Sequence, residues 1–134
     1  LIMYKSEFCD VDYLDNLNVV FVKWKKFCYS EDYRKPLREA VKIMAEHDDC
    51  HYVADTRSGF EDTKEDTEWV LSEFNETAYK AGCKYILFII DENNSLKKEL
   101  EGQATGFKKY FEVKAFYCLD EIEEFLKSVR EYNG

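Results

Sequence analysis

The residues able to do chemistry fall in two short stretches. The first, ADTRSGFEDTKEDTEWV, spans residues 54–70. Asp55 and Arg57 can close a loop as a local ion pair. Alternatively Arg57 can clamp an anion or carboxylate, because a guanidinium binds such groups bidentately. Thr63, and after it Ser58, offer hydroxyls for phosphorylation, and a phosphate on Thr63 would sit at a helix N-terminus, where the helix dipole favours it. Glu61, Asp62, Glu65, Asp66 and Glu68 crowd the same turn and would repel it. The plainer reading makes Thr63 an N-cap, since Thr63-Lys64-Glu65-Asp66 resembles a capping box. The second stretch, His47-Asp48-Asp49-Cys50-His51, looks like metal ligands in a row. Neighbours in an extended segment diverge, and the spaced pairs of zinc sites are missing, so no metal site is expected there. The expected structure is a polar helix end followed by a strand entry.

No catalytic set assembles around these residues. Both histidines lie in the one segment, and no G-x-S-x-G, Walker loop or G-x-G-x-x-G occurs. The chain is therefore expected to have no enzymatic activity and no cofactor. Nineteen basic and 28 acidic residues leave a net charge of −9. That field repels phosphate backbones and anionic head groups, so nucleic acid is not an expected partner. No run reaches the ~20 apolar residues of a membrane-spanning helix, so membrane insertion is not expected. Five cysteines without a C-x-x-C pair, and no export signal, are read as reduced thiols in a cytoplasmic protein.

The elements that must position these residues follow from periodicity. The 134 residues contain one proline and five glycines, with 46% hydrophobic content, and read as one domain, 1–134. Phe8–Leu14 alternates Cys9, Val11 and Tyr13 against Asp10 and Asp12, as a half-exposed edge strand does. Val19–Trp24 then completes a hairpin across an Asp15–Asn18 turn. Ser30 is placed to cap a helix to about His47, with Leu37, Ala40, Val41 and Met44 on one stripe and Pro36 awkwardly inside it. His51–Asp55 is a short strand and Thr63–Ala81 a helix closed by Gly82. Lys84–Ile90 (KYILFII) is apolar on both faces, so it belongs mid-sheet between helical layers. A third helix is expected from Asn94 or Ser95 with Leu96, Leu100, Ala104 and Phe107 inward. Gly102 and Gly106 are read as close packing on it. Val113–Cys118 is a last strand, and Asp120 with Glu123 caps a final helix. The order ββαβαβαβα predicts an α/β fold: a mixed, mainly parallel five-stranded sheet with helices on both faces.

This order, and DTRSGFEDT after the third strand, resemble the STAS superfamily of sulfate-transporter and anti-sigma-factor-antagonist domains. In its antagonists a strand ends in Asp-Leu-Ser and a Phe-x-Asp-Ser-Ser-Gly opens the next helix, its first Ser being phosphorylated. Asp55 matches the strand-end Asp. Phe60-Glu61-Asp62-Thr63 matches Phe-x-Asp-Ser and puts Thr63 in the acceptor slot, while Lys64-Glu65 departs from Ser-Gly. The SpoIIAA-like branch is a closer match, through VVFVKWKKF, Asp55-Thr56-Arg57, Glu68-Trp69 and FYCLDEIEEFLK. The resemblance implies a SpoIIAA/STAS-like fold and a regulatory or protein-interaction role. The expected interaction loop is Asp55, Thr56, Arg57, Ser58, Phe60, Asp62 and Thr63. Some members of the branch stand beside Sec14-type lipid carriers. The aromatic content, ten Phe, ten Tyr and two Trp, keeps a small apolar ligand or lipid open as the alternative. A homodimer through the Asp-lined first strand or Val113–Cys118 is also open.

Overall fold

A computed structural model of the chain describes residues 2–92, 106–107 and 109–133. A six-stranded mixed sheet runs in the order β1-β2-β3-β4-β5-β6. Its strands are β1 (Ile2–Lys5), β2 (Cys9–Leu14), β3 (Val19–Trp24), β4 (His51–Asp55), β5 (Tyr85–Ile89) and β6 (Glu112–Phe116). The strands β1, β2 and β3 pair antiparallel, and β3 to β6 pair parallel. The expected α/β class holds, with one strand more than the five expected. The extra strand, β1, covers the outer side of β2, so the Asp-alternating strand lies inside the sheet and is not an edge. Its Asp10 is held by Lys25 at 2.8 Å. The outer strands among the described residues are β1 and β6. β1 has only four residues and an irregular register between Ile2 and Tyr4, and β6 exposes Glu112 and Lys114. Short length and charge both discourage edge-to-edge pairing.

The sheet divides the apolar side chains into two layers, because successive residues of a strand point to opposite faces. On one face Val20, Val22, Ile86 and Phe88 meet Leu37, Ala40 and Met44 of α1 (Glu31–Glu46), together with Val70, Phe74 and Ala78. On the other, Val19, Val53, Leu87 and Ile89 meet Ile122 and Leu126 of the final helix. KYILFII thus supplies both layers from the middle of the sheet, as its two-sided apolar character requires. Parallel strands laid down in chain order, joined by crossovers of one hand, place those crossovers on one face. This accounts for α1 and the next helical stretch sharing a layer.

That stretch runs from α2 (Lys64–Trp69) through a π-helical turn (Val70–Phe74) to α3 (Asn75–Lys80). It closes at Gly82 with φ near 100°, where Gly82 N–H donates to Tyr79 O and Cys83 N–H to Ala78 O. This paired closure needs the left-handed backbone that glycine adopts without strain. The final helix, α4, covers Leu119–Asn133. Asp120 lies inside its first turn, and the expected Asp120–Glu123 cap is not how the helix opens. Glu121 reaches back instead, accepting the Tyr117 N–H at 2.7 Å. The expected helix from Asn94 or Ser95 falls outside the described residues, save that Phe107 is buried. Gly106 lies against α2–α3: a Cβ built there would stand 2.6 Å from Leu71 Cδ2. Among the described residues no helix is long and apolar enough to cross a membrane.

Candidate functional site

Three parallel strands end side by side, and the segments leaving them carry the residues of interest. β3 ends at Trp24, β4 at Asp55 and β5 at Ile89. In open α/β sheets this carboxyl end is where ligand sites are usually built. Thr56 stitches the rim by donating both its N–H, at 2.9 Å, and its hydroxyl, at 2.8 Å, to Ile89 O. The chain then turns, with Gly59 N–H donating to Thr56 O.

Asp55 and Arg57 form a two-point ion pair across that turn. Arg57 Nε and Nη2 donate to the two carboxylate oxygens at 3.0 and 2.8 Å, and the Arg57 N–H adds a third bond at 3.1 Å. Burial works to raise the Asp55 pKa, but the Arg57 hydrogen bonds outweigh it and hold the carboxyl below its ordinary value. The guanidinium fork is therefore spent on Asp55, which favours the loop-closing role over an anion clamp.

Thr63 caps α2, as its position suggested: its hydroxyl accepts the Asp66 N–H at 3.2 Å. Ser30 does not cap α1 with its side chain. It adopts φ 54° and ψ −130°, and its backbone N–H donates to Asp66 Oδ2 at 3.0 Å. Asp66 Oδ1 accepts from Arg34 Nε at 2.9 Å. A buried carboxylate 36 residues away thus fixes the start of α1. Arg34 and Arg38 also approach the Trp69 ring, at 5.7 and 5.5 Å.

Between these two helix starts a pocket opens onto the sheet. Its volume is about 60 Å³, and its walls include Trp24, Tyr33, Tyr52, Phe60, Asp62 and Phe74. Trp24 stacks on Tyr33 at 4.9 Å, and Phe60 stands edge-on to Trp24 at 5.8 Å. The π-helical turn contributes Val70 and Phe74, and such turns recur at functional sites. Tyr33 donates its hydroxyl to Asp62 Oδ2 at 2.8 Å. Burial, reinforced by Asp62, raises the Tyr33 pKa well above that of a free phenol, and burial does the same for Tyr52. Both hydroxyls stay neutral. Cys28, nearby, is pushed up to about 12 by burial, with Asp32, Asp66 and Asp62 adding to the shift. A thiol held protonated in this way is a poor nucleophile.

The expected loop is therefore divided in use. Thr56, Phe60 and Asp62 line the pocket, Asp55 and Arg57 hold each other, Ser58 is exposed, and Thr63 serves the helix start. Trp24, Phe27 and Tyr33 complete the region and were not singled out by sequence. Their signal was present: W-K-K-F-C-Y-S-E-D-Y follows a strand end, as DTRSGF does. The rule applied to β4 applies equally to β3.

The side chains of His47–His51 diverge. His47 stacks on Tyr13 at 3.8 Å, Cys50 is buried, and Asp49 meets Arg130 and His51. Among the described residues no three His, Cys, Asp or Glu side chains converge as metal ligands would. All five cysteines are free.

No protein-family model, curated protein or solved structure matches this chain.

Proposed function

We propose that this chain is a non-enzymatic recognition domain, STAS-like and resembling the SpoIIAA-like branch, that binds a protein partner at the carboxyl rim of its sheet. The observation that carries the reading is an aromatic surface continuous with the pocket. Phe27 is 51% and Tyr29 62% exposed, and Phe27 meets the edge of Phe60 at 5.3 Å, so the surface runs from solvent into the cavity. Exposed aromatics beside a well-packed pocket are the residues that dominate protein interfaces. The Asp55–Arg57 and Thr63–Asp66 bonds fix the loop around them, which lowers the ordering cost of binding. Phosphorylation of Thr63 belongs to this reading as a switch: it would take the hydroxyl from its cap and place charge beside Asp62 and Asp66.

A small apolar ligand is the second reading, supported by the same aromatic walls. A volume of about 60 Å³ restricts it to a few heavy atoms, since one water already needs about 10–15 Å³ on such a measure. An acyl chain needs far more room than that.

The test replaces Phe27 and Tyr29 together by serine, leaving every pocket-lining residue in place. Quantitative mass spectrometry of material co-purified from the source cell should show a defined partner lost from the variant while circular dichroism is unchanged. An identical partner profile for the two proteins would end the proposal.

A further inference from the structure

We infer that the rim pocket takes one branched aliphatic side chain, of leucine or valine size, from a basic segment of the partner. The inference rests on the recognition-domain reading above and adds the chemistry of the occupant.

The walls ask for no polar group, because every polar side chain lining the cavity is already engaged. The Thr56 hydroxyl donates to Ile89 O at 2.8 Å. The Tyr33 hydroxyl donates to Asp62 Oδ2 at 2.8 Å, and Asp62 has a further interaction besides. The Trp24 indole N–H faces the Tyr52 oxygen. The other side chains of the wall, Leu37, Val70 and Phe88 among them, are hydrocarbon. A charged or strongly hydrogen-bonding occupant would exchange its water for groups already bonded to one another, which is costly. A hydrocarbon group has no such loss and gains by leaving water for close contact with the ring faces.

Size narrows the choice. The volume is about 60 Å³, whereas an apolar cavity that holds benzene has about 150 Å³. A phenyl ring is therefore too large and an indole larger still. A lone methyl, as in alanine, would leave much of the space without contacts. The branching carbon and two methyls of a leucine or valine are on the scale of the cavity.

Charge identifies the segment that carries this anchor. Glu61 lies between the lining residues Phe60 and Asp62, Asp32 directly precedes the lining residue Tyr33, and Glu65 and Glu68 follow on α2. All four are exposed, and none makes an ion pair. The neighbouring cations are occupied: Lys25 by Asp10, Lys26 by Glu7, Arg34 by Asp66 and Arg57 by Asp55. Among the described residues from Arg57 to Glu68, Lys64 is the one cation left without an ion pair. Unbalanced negative charge thus borders the pocket, and the net charge of −9 extends the same field. It complements lysines or arginines on either side of the anchor. Those solvent-exposed charges set approach and orientation, while the buried aliphatic group supplies most of the affinity.

The experiment titrates the full chain with capped pentapeptides of sequence KKLKK, KKSKK, KKFKK and EELEE, and with isobutanol. Binding is followed by the Trp24 indole resonance, with Trp69 as internal reference. KKLKK should shift Trp24 and bind at least about tenfold tighter than KKSKK, the scale of burying one aliphatic side chain. It should also bind more tightly than KKFKK and EELEE, its margin over EELEE narrowing as salt is raised. Asp32→Asn combined with Glu61→Gln should narrow that margin too, while the preference for leucine over serine stays. Equal binding of KKSKK or EELEE, tighter binding of KKFKK, or no shift of Trp24 would each overturn the inference. So would isobutanol binding as tightly as KKLKK, which would assign the pocket to a free small ligand. A Trp24 shift on dilution of the chain alone would assign the surface to a second copy and equally overturn it. The comparison among peptides on the unaltered chain decides even if the double variant fails to fold. A null titration combined with partner loss in the Phe27/Tyr29 variant would remove the aliphatic anchor while leaving the recognition surface in place.

Discussion

Arg34 Nε donates to Asp66 Oδ1 at 2.9 Å, with the Asp66 side chain 1% exposed and that of Arg34 25%. The same carboxylate takes the Ser30 N–H with its other oxygen. One acidic residue in the first turn of α2 thereby sets where α1 begins and holds the two helices that flank the pocket. Asp66→Asn keeps the shape and removes the charge from a desolvated pair. It should cost about 2–3 kcal/mol, in the range for charged hydrogen bonds and broken buried pairs. Urea denaturation measures this directly. Arg34→Met added to Asp66→Asn should cost less than the sum of the two single changes, because each alone strands its partner. A loss below about 0.5 kcal/mol for Asp66→Asn would show that the pair does not brace the helices.

Ser30 and Thr63 make opposite predictions although both precede helices. Thr63 caps with its hydroxyl, so Thr63→Ala should cost about 1 kcal/mol. Ser30 makes no side-chain cap bond and holds φ 54°, so Ser30→Ala should leave stability within about 0.5 kcal/mol. Ser30→Gly should raise it by about 1 kcal/mol, because glycine adopts a positive φ without the Cβ clash. Thermal melts of the three variants check the set. A substantial loss in Ser30→Ala would mean that the hydroxyl caps α1 after all.

The contrast between these two residues shows what was legible in the sequence. Thr63 could be read because its partner is three residues away. Ser30 could not, because its partner is Asp66, and a contact across 36 residues leaves no local signature. The layered sheet was legible from KYILFII, where two-sided apolarity admits one kind of position. β1 was not, because Ile2–Lys5 is four residues with no alternation to read, and its absence turned β2 into an apparent edge. The loop from Asp55 to Thr63 was found from the strand-end rule. The pocket beside it was missed because aromatics at helical or strand spacing read as core, and Trp24, Tyr33 and Phe74 are indeed buried. They also bound a cavity, and cavity shape is a property of packing that no single segment carries.

Asn75 offers a separate test of the helical layer. It is fully buried, and among the described residues neither amide atom has a hydrogen-bond partner. An unsatisfied buried polar group costs about 1–3 kcal/mol. Leucine has a similar branched shape without that demand, so Asn75→Leu should stabilise the chain by about 1 kcal/mol, read from the urea midpoint at constant slope. Destabilisation by a similar amount would mean that the amide is hydrogen-bonded in solution.

His51 gives a pH dependence whose sign follows from its bonds. It is buried at the start of β4, and Nδ1 accepts the Lys84 N–H at 3.2 Å. A nitrogen that accepts a backbone N–H cannot itself carry a proton, so Nε2 holds it and faces Asp49 Oδ1 at 3.1 Å. Protonating the ring would set one N–H against another inside the core. Burial lowers the pKa from 6.5 to about 4, and Arg130 and Lys84 act in the same direction, while Asp49 opposes it. The folded state thus prefers the neutral ring more than the unfolded chain does. Its contribution is complete above pH 6.5 and is lost as the pH falls from there to about 4. At about 1.4 kcal/mol per pH unit, that loss amounts to about 3 kcal/mol. Carboxylate titrations act in both proteins, so the difference between the unaltered chain and His51→Gln isolates the histidine. Stability measured every half unit from pH 7 to 4 should fall more steeply in the unaltered chain. Parallel curves for the two proteins would mean that His51 takes up a proton as readily in the fold as in the unfolded chain, with its ring turned away from the Lys84 amide.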